Sequence, residues 1–251
     1  MASCATIIDM KHQRIKKIAL CASLAAAVLF ILLRPNWLGG AAAQLLHSAA
    51  SALPPRHDSP QAITLQAGDF VLFGQHLNQP ILWETIEIND GRPLLFSAYV
   101  IGFRAFSTAE HERKLSSCWE SSDMRAWLNH DFLQLEYRAL IDGDIQLPST
   151  TMLRQIPAAQ RRRRPTRAAV VYEYSPWLHL RRYAWYWTMD AWPTNEQSVR
   201  AVTTRGTFYQ SRANDAFNGV APVLYLAAAQ LQSAGGDGSR ATPFVLTGGA
   251  P

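Results

Sequence analysis

Four carboxylates are candidates for acid–base chemistry, as the pairs Glu120 with Asp123 and Asp190 with Asp215. A hydrolytic site of that kind needs two of them in one cleft, one with its pKa raised. Nothing in their spacing singles either pair out, so a cell-envelope enzyme using a carboxylate pair stands as an alternative reading. The seven histidines, His12, His47, His57, His76, His111, His130 and His179, show no His-x-x-x-His spacing, and no Cys-x-x-Cys is present. A transition-metal site therefore lacks its usual signature. No Gly-x-Ser-x-Gly elbow, phosphate loop or dinucleotide fingerprint occurs, and neither a metal nor a cofactor is expected. Cys118, next to Trp119, reads as a small buried hydrophobe. A reactive thiol there would need a neighbouring base.

Two groups of residues are suited to binding. Arg161, Arg162, Arg163, Arg164 and Arg167 form a basic run with no apolar period, which reads as a flexible surface loop. Guanidinium pairs bidentately with phosphate, so the run is a candidate patch for phosphate-rich envelope polymers or lipid headgroups. Tyr172 to Trp192 holds eight aromatic residues, among them Trp177, Tyr183, Tyr186 and Trp192, which could stack on sugars or peptide side chains. Alternation through Tyr183, Trp185 and Trp187 would instead turn one set of rings into a core.

The elements around these residues follow from periodicity. Asp69-Phe-Val-Leu-Phe-Gly is a short apolar run closed by glycine, Ile81 to Ile88 alternates, and Asn89-Asp90-Gly91 supplies a turn before Pro93 to Ile101. Three strands in a meander are predicted. Ser122 or Asp123 caps a helix whose stripe is Met124, Trp127, Leu128, Phe132 and Leu135. A second helix is expected over Glu136 to Ile141, stopped by Asp142-Gly143. Ser198 to Tyr209 reads as two strands around Arg205-Gly206.

The stretch Trp119-Glu-x-Ser-x-x-Arg-x-Trp-Leu-Asn-x-x-Phe132 resembles the hallmark of a bacterial family of secreted or membrane-tethered domains of unknown function. Gly68 to Gly74, Ile81 to Trp83 and Leu94 to Tyr99 resemble that family's opening strands, and Gly219 to Leu226 and Gly235 to Leu246 its closing ones. Relatives carry a Trp-Trp-Leu-Arg-Ser-Pro motif where this chain has Trp185 to Pro193, which is similar only in its aromatics and terminal proline. Ala221 stands where arginine is typical. The order of elements is similar to C-type lectin-like domains of the branch related to formylglycine-generating enzymes. The fold class so implied is α+β, a C-type lectin-like domain with mostly antiparallel strands and one or two helices. Cysteine-dependent oxidation of the formylglycine-generating kind needs two nearby thiols, and this part of the chain has one. The resemblance implies a binding face over Asp190 to Asn218. With Trp177, the candidate contacts are Trp192, Asn195, Tyr209, Arg212, Asn214 and Asp215. Lectin-type calcium binding would fall to Asn214-Asp215, which reads more simply as a turn.

With 251 residues, 48% of them hydrophobic, the chain has room for one good-sized core with extensions. Its formal charge of +5 favours anionic surfaces without calling for nucleic acid. Residues 1–17 carry Lys11, Arg14, Lys16 and Lys17, and Ile18 to Leu33 is uncharged and apolar. This reads as a signal anchor over residues 18–38 behind a cytoplasmic basic tail, with cleavage near Ala41 to Ala43 as the competing reading and a secreted domain as its product. Residues 39–66, rich in Ala, Ser and Pro, read as a flexible linker to an extracytoplasmic domain at 67–251. The expected function is that of a non-enzymatic binding module in the bacterial inner membrane. Its partners are the membrane, through the N-terminal helix, and an envelope protein or glycan. A structural subunit of an envelope assembly is a further alternative.

Overall fold

The computed structural model describes residues 56–108, 117–132, 135–173, 182–228 and 230–247. All lie in the compact unit Pro54–Pro251. The basic tail, the apolar run at 18–33 and the first part of the expected linker fall outside the described residues. Among the described residues no helix is long and apolar enough to cross a membrane.

The predicted meander forms. Strands β2 (Phe70–His76), β3 (Gln79–Asn89) and β4 (Arg92–Ser97) pair antiparallel in sequence. Asp90 and Gly91 both take positive φ, 51° and 75°, which is the primed turn that matches strand twist and that Asp-Gly favours. The linker expected over 39–66 is corrected at its end: Arg56–Thr64 is strand β1, paired antiparallel with β14 (Gln230–Gly235). Beyond β4 come β13 (Val223–Leu226) and β7 (Ile141–Gln146), and β15 (Phe244–Val245) lies parallel to β2 at the other edge, giving a six-stranded sheet. A five-stranded sheet has the order β11 (Phe208–Arg212), β10 (Asn195–Val202), β9 (Tyr186–Trp192), β12 (Gly219–Val220), β6 (Gly102–Phe103). Strands β5 (Tyr99–Val100) and β8 (Arg164–Pro165) pair parallel on their own.

The α+β, C-type lectin-like expectation is overturned. Strand accounts for 47% of the structure and helix for 15%, and the domain is a multi-sheet, β-rich body. The segment Asp190 to Asn218, where the resemblance implies a binding face, is largely the β9–β10–β11 part of a regular antiparallel sheet, and the two strands expected around Arg205-Gly206 are present as β10 and β11. The expected second helix shrinks to α2 (Leu135–Arg138), and the chain then runs through Asp142-Gly143 as β7. Gly143 does not stop a helix. At φ +76° it makes the bulge where β7 shifts register against β13.

Alternation decides where the core sits. Along β13, Leu224 and Leu226 join one buried cluster with Trp83, Leu95, Phe106 and Trp187, while Val223 joins a second with Phe96, Tyr186 and Leu153. The six-stranded sheet is thus covered on both faces, so Leu94, Leu95 and Phe96 of β4 are all buried.

Helix α1 (Asp123–His130) is capped by Ser122, whose Oγ accepts from the Arg125 amide at 3.1 Å. It buries Met124 and Leu128, with Trp127 half-buried beneath the Arg104 guanidinium at 4.5 Å. The polar positions of the Trp-Glu-x-Ser motif dock this helix on β7. Asn129 donates to the Ile145 carbonyl and accepts from the Ile145 amide at 3.0 and 2.9 Å, and Arg125 holds Asp144 at 2.6 Å. Cys118 is exposed, correcting its expected burial, because its neighbours Ser117 and Trp119 take the inward positions; its Sγ donates to Glu120 at 3.2 Å.

The turn from Gly236 to Thr242 is pinned by one carboxylate. Asp237 accepts from the Thr242 hydroxyl and, at 2.9 Å, from the Ser239 amide, and these bonds hold its pKa down to about 2 from 3.8. A folded-state pKa below the unfolded one gives stability that is fully present above about pH 4 and lost as pH falls towards about 2. Asp237→Asn should therefore flatten that acid limb: its melting temperature falls less between about pH 4 and about pH 2 than that of the wild type. Parallel limbs would contradict the assignment.

Candidate functional site

A cleft is built around the arginine run. Short helices α3 (Thr150–Arg154), capped by Ser149, and α4 (Ala158–Arg161) lead into the run. The run then continues as β8 and α5 (Arg167–Glu173), which corrects the expected flexible loop. The segment lacks an apolar period because its own arginines hold it. Arg161 donates from Nε to the Leu153 and Ile156 carbonyls at 2.6 and 2.7 Å and from Nη1 to Gly206 at 3.2 Å. Arg163 is buried, donating from Nε to the Ser97 carbonyl at 3.1 Å and from Nη1 to the Gln160 carbonyl at 2.6 Å, while Nη2 meets Glu84 at 3.2 Å. Burial depresses its pKa, with Arg240 pushing in the same direction and Tyr186 and Glu84 opposing.

Pairing then assembles the walls. Tyr99 of β5 lies opposite Arg164 of β8, and an antiparallel bridge joins Arg163 to Ala184, bringing Tyr183 alongside. The pinned Gly-rich turn presents Arg240 from the far rim, its guanidinium 5.2 Å from the Phe70 ring centre and 5.4 Å from that of Tyr99. Glycine is required in that turn: at φ +93°, a Cβ on Gly236 would lie 2.0 Å from the Pro243 carbonyl oxygen.

The resulting cleft is about 640 Å³, and its lining includes Arg162, Arg163, Arg164, Arg240, Tyr99 and Tyr183, with Glu84 as the single carboxylate among the described residues. Glu84 is already paired with Arg163, and none of the ion pairs among the described residues involves Arg162, Arg164 or Arg240. Arg162 lies 4.6 Å and Arg164 5.8 Å from the Tyr183 ring centre. Thr85, wholly buried, also borders the cleft, and its Oγ1 has no partner among the described residues. The three guanidiniums of Arg162, Arg164 and Arg240 around two tyrosine rings can hold an oxyanion and stack against a flat face beside it.

The residues singled out from sequence fall in several places. Arg161 and Arg163 are occupied by backbone carbonyls, while Arg162, whose Nε also donates to the Ala159 carbonyl at 3.1 Å, and Arg164 line the cleft and the exposed Arg167 borders a neighbouring hollow of about 280 Å³. Trp192 is half-buried, donating to Thr194 at 3.1 Å. Asn195 is exposed and accepts from the Gln197 amide. Tyr209 and Arg212 lie on β11, the exposed edge of the five-stranded sheet, with Tyr209 edge-on to Trp185 at 5.9 Å. Asn214 is exposed, and Asp215 makes a turn, accepting from the Phe217 amide at 2.9 Å and from Ser211 at 3.1 Å. Trp177 lies outside the described residues.

The carboxylates proposed for acid–base work are each engaged. Asp123 accepts from the Thr108 amide and hydroxyl, and Asp190 from the Thr150 amide. Glu120 is held below the ordinary carboxylate range, first by the Cys118 thiol and then by its own amide. Among the described residues no group of three or more His, Cys, Asp or Glu side chains is placed to hold a metal. Sequence reasoning missed Tyr99 and Arg240. The signal for Arg240 was its seat in Asp-Gly-Ser-Arg, turn residues that hold an arginine up to solvent. No protein family, curated protein or solved structure matches the chain.

Proposed function

We propose that the protein is a non-enzymatic binding module held outside the cytoplasm by its N-terminal apolar segment, and that it takes an anionic envelope component in the arginine–tyrosine cleft. One observation carries this reading: Arg162, Arg164 and Arg240 converge around Tyr99 and Tyr183 with no carboxylate paired to them among the described residues. Three like charges gathered in one hollow repel one another, and a bound oxyanion relieves that repulsion. The basic residues before Ile18 support an orientation with the N-terminus inside.

The test uses the full chain in detergent, titrated with a panel of anionic and neutral glycans and envelope polymers. A charge-assisted hydrogen bond is worth about 1.5–3 kcal/mol, so the triple variant R162Q/R164Q/R240Q should bind at least about 100-fold more weakly, with a shallower salt dependence and an unchanged melting temperature. Wild-type binding to none of the panel, or equal binding by the variant, overturns the reading. Fractionation of cells tests the anchor separately, since a wholly cytosolic protein excludes an extracytoplasmic role.

A further inference from the structure

The chain crossing from α3 to α4 has a second basic hollow on its other side. This one is shallower, about 400 Å³, and is lined by Arg154, Trp192, Pro193, Thr194, Arg200 and Phe208. None of its described lining residues is a carboxylate. Arg154 lies 5.6 Å from the Phe208 ring centre and Arg200 5.7 Å from that of Trp192, repeating the pairing of guanidinium with aromatic ring found in the main cleft. The Arg200 Nε is buried and has no hydrogen-bond partner among the described residues. A buried N–H of a cation left without an acceptor is costly, so this group is suited to receive one from a ligand.

The two hollows meet the same stretch of chain. Arg154 lines the second and Gln155, the next residue in the chain, lines the first. Arg161, between the cleft-lining Gln160 and Arg162, lies 5.1 Å from the ring centre of Phe208 in the second hollow. A small anion fills one hollow or the other. A linear polymer carrying an oxyanion on successive units fills both, with its ring faces against Tyr183 and Tyr99 on one side and Trp192 and Phe208 on the other.

We infer that the ligand is an acidic polysaccharide, its carboxylate or phosphate groups held in both hollows as the chain crosses the α3–α4 ridge. This rests on the main cleft being an anion site. It adds the second hollow as a subsite, and with it a dependence on ligand length. Linking two sites through one ligand makes the second contact intramolecular, which raises affinity without changing either contact.

The experiment measures binding of the full chain in detergent to hyaluronan oligomers of roughly two to ten sugars and to phosphodiester-linked mannan oligomers of matched length, which separates carboxylate from phosphate. Neutral maltooligosaccharides and a single-stranded oligodeoxynucleotide are run alongside. For at least one acidic series, affinity should rise at least about tenfold from the shortest to the longest member. In R154Q/R200Q, with its melting temperature checked, long oligomers should bind only as tightly as short ones do. Binding without a length gain, or a gain that survives in that variant, overturns the inference and leaves the main cleft as an anion site. Equal or tighter binding of the oligonucleotide overturns the polysaccharide. Binding to no anion at all removes the reading of the main cleft as well.

Discussion

Arg163→Met lowers the stability of the domain by about 3–5 kcal/mol, read as a fall in the denaturant midpoint. Methionine keeps an apolar stem over Phe96, whose ring centre lies 4.1 Å from the guanidinium. It supplies none of the donors that reach the Ser97 and Gln160 carbonyls and Glu84. The Ser97 and Gln160 carbonyls are then left without a donor, and the Glu84 carboxylate, which opens onto the cleft, loses its ionic partner. Arg163→Lys should fall between the two, because an ammonium restores charge without the planar fork that reaches three acceptors at once. Adding Glu84→Gln to Arg163→Met should recover part of the loss. A single variant within about 1 kcal/mol of the wild type would show that these bonds do not hold the segment.

Trp187→Ala is the second large effect, also about 3–5 kcal/mol. The ring is wholly buried, packs edge-on to Phe106 at 5.8 Å, and donates from Nε1 to the Arg104 carbonyl at 2.8 Å. Truncation leaves both a cavity and an unsatisfied carbonyl. Trp185, two residues earlier, is only half-buried beside Tyr209, so Trp185→Ala should cost about 1 kcal/mol. Equal losses at the two positions would contradict the difference in burial between them.

What could be read from the sequence was what hydropathy and turn chemistry encode. The meander from Phe70 to Ser97 alternates and ends in Asp-Gly, and α1 begins at a serine that caps it, so both were legible. The arginine run was not, because side-chain bonds from Arg161 and Arg163 to distant carbonyls stabilise it and no apolar period records them. Cys118 misled for a related reason. A cysteine beside a buried tryptophan looks like core, yet in an extended segment neighbours face opposite ways. The fold class was misjudged because element order was followed in place of pairing. The binding face implied over Asp190 to Asn218 is mostly sheet, and the cleft is assembled from Tyr99, Arg164, Tyr183 and Arg240, residues too far apart in sequence for any local pattern to join.

The pairings of β1 with β14 and of β2 with β15 impose an order on folding. A nascent chain cannot complete either edge until residues beyond 230 have been made, and closing loops of that length is slow. Until then Arg240 is not in place and the main cleft has only one wall. Completion of the cleft is thereby deferred to the last stage of folding, when the C-terminal strands pair with the first ones.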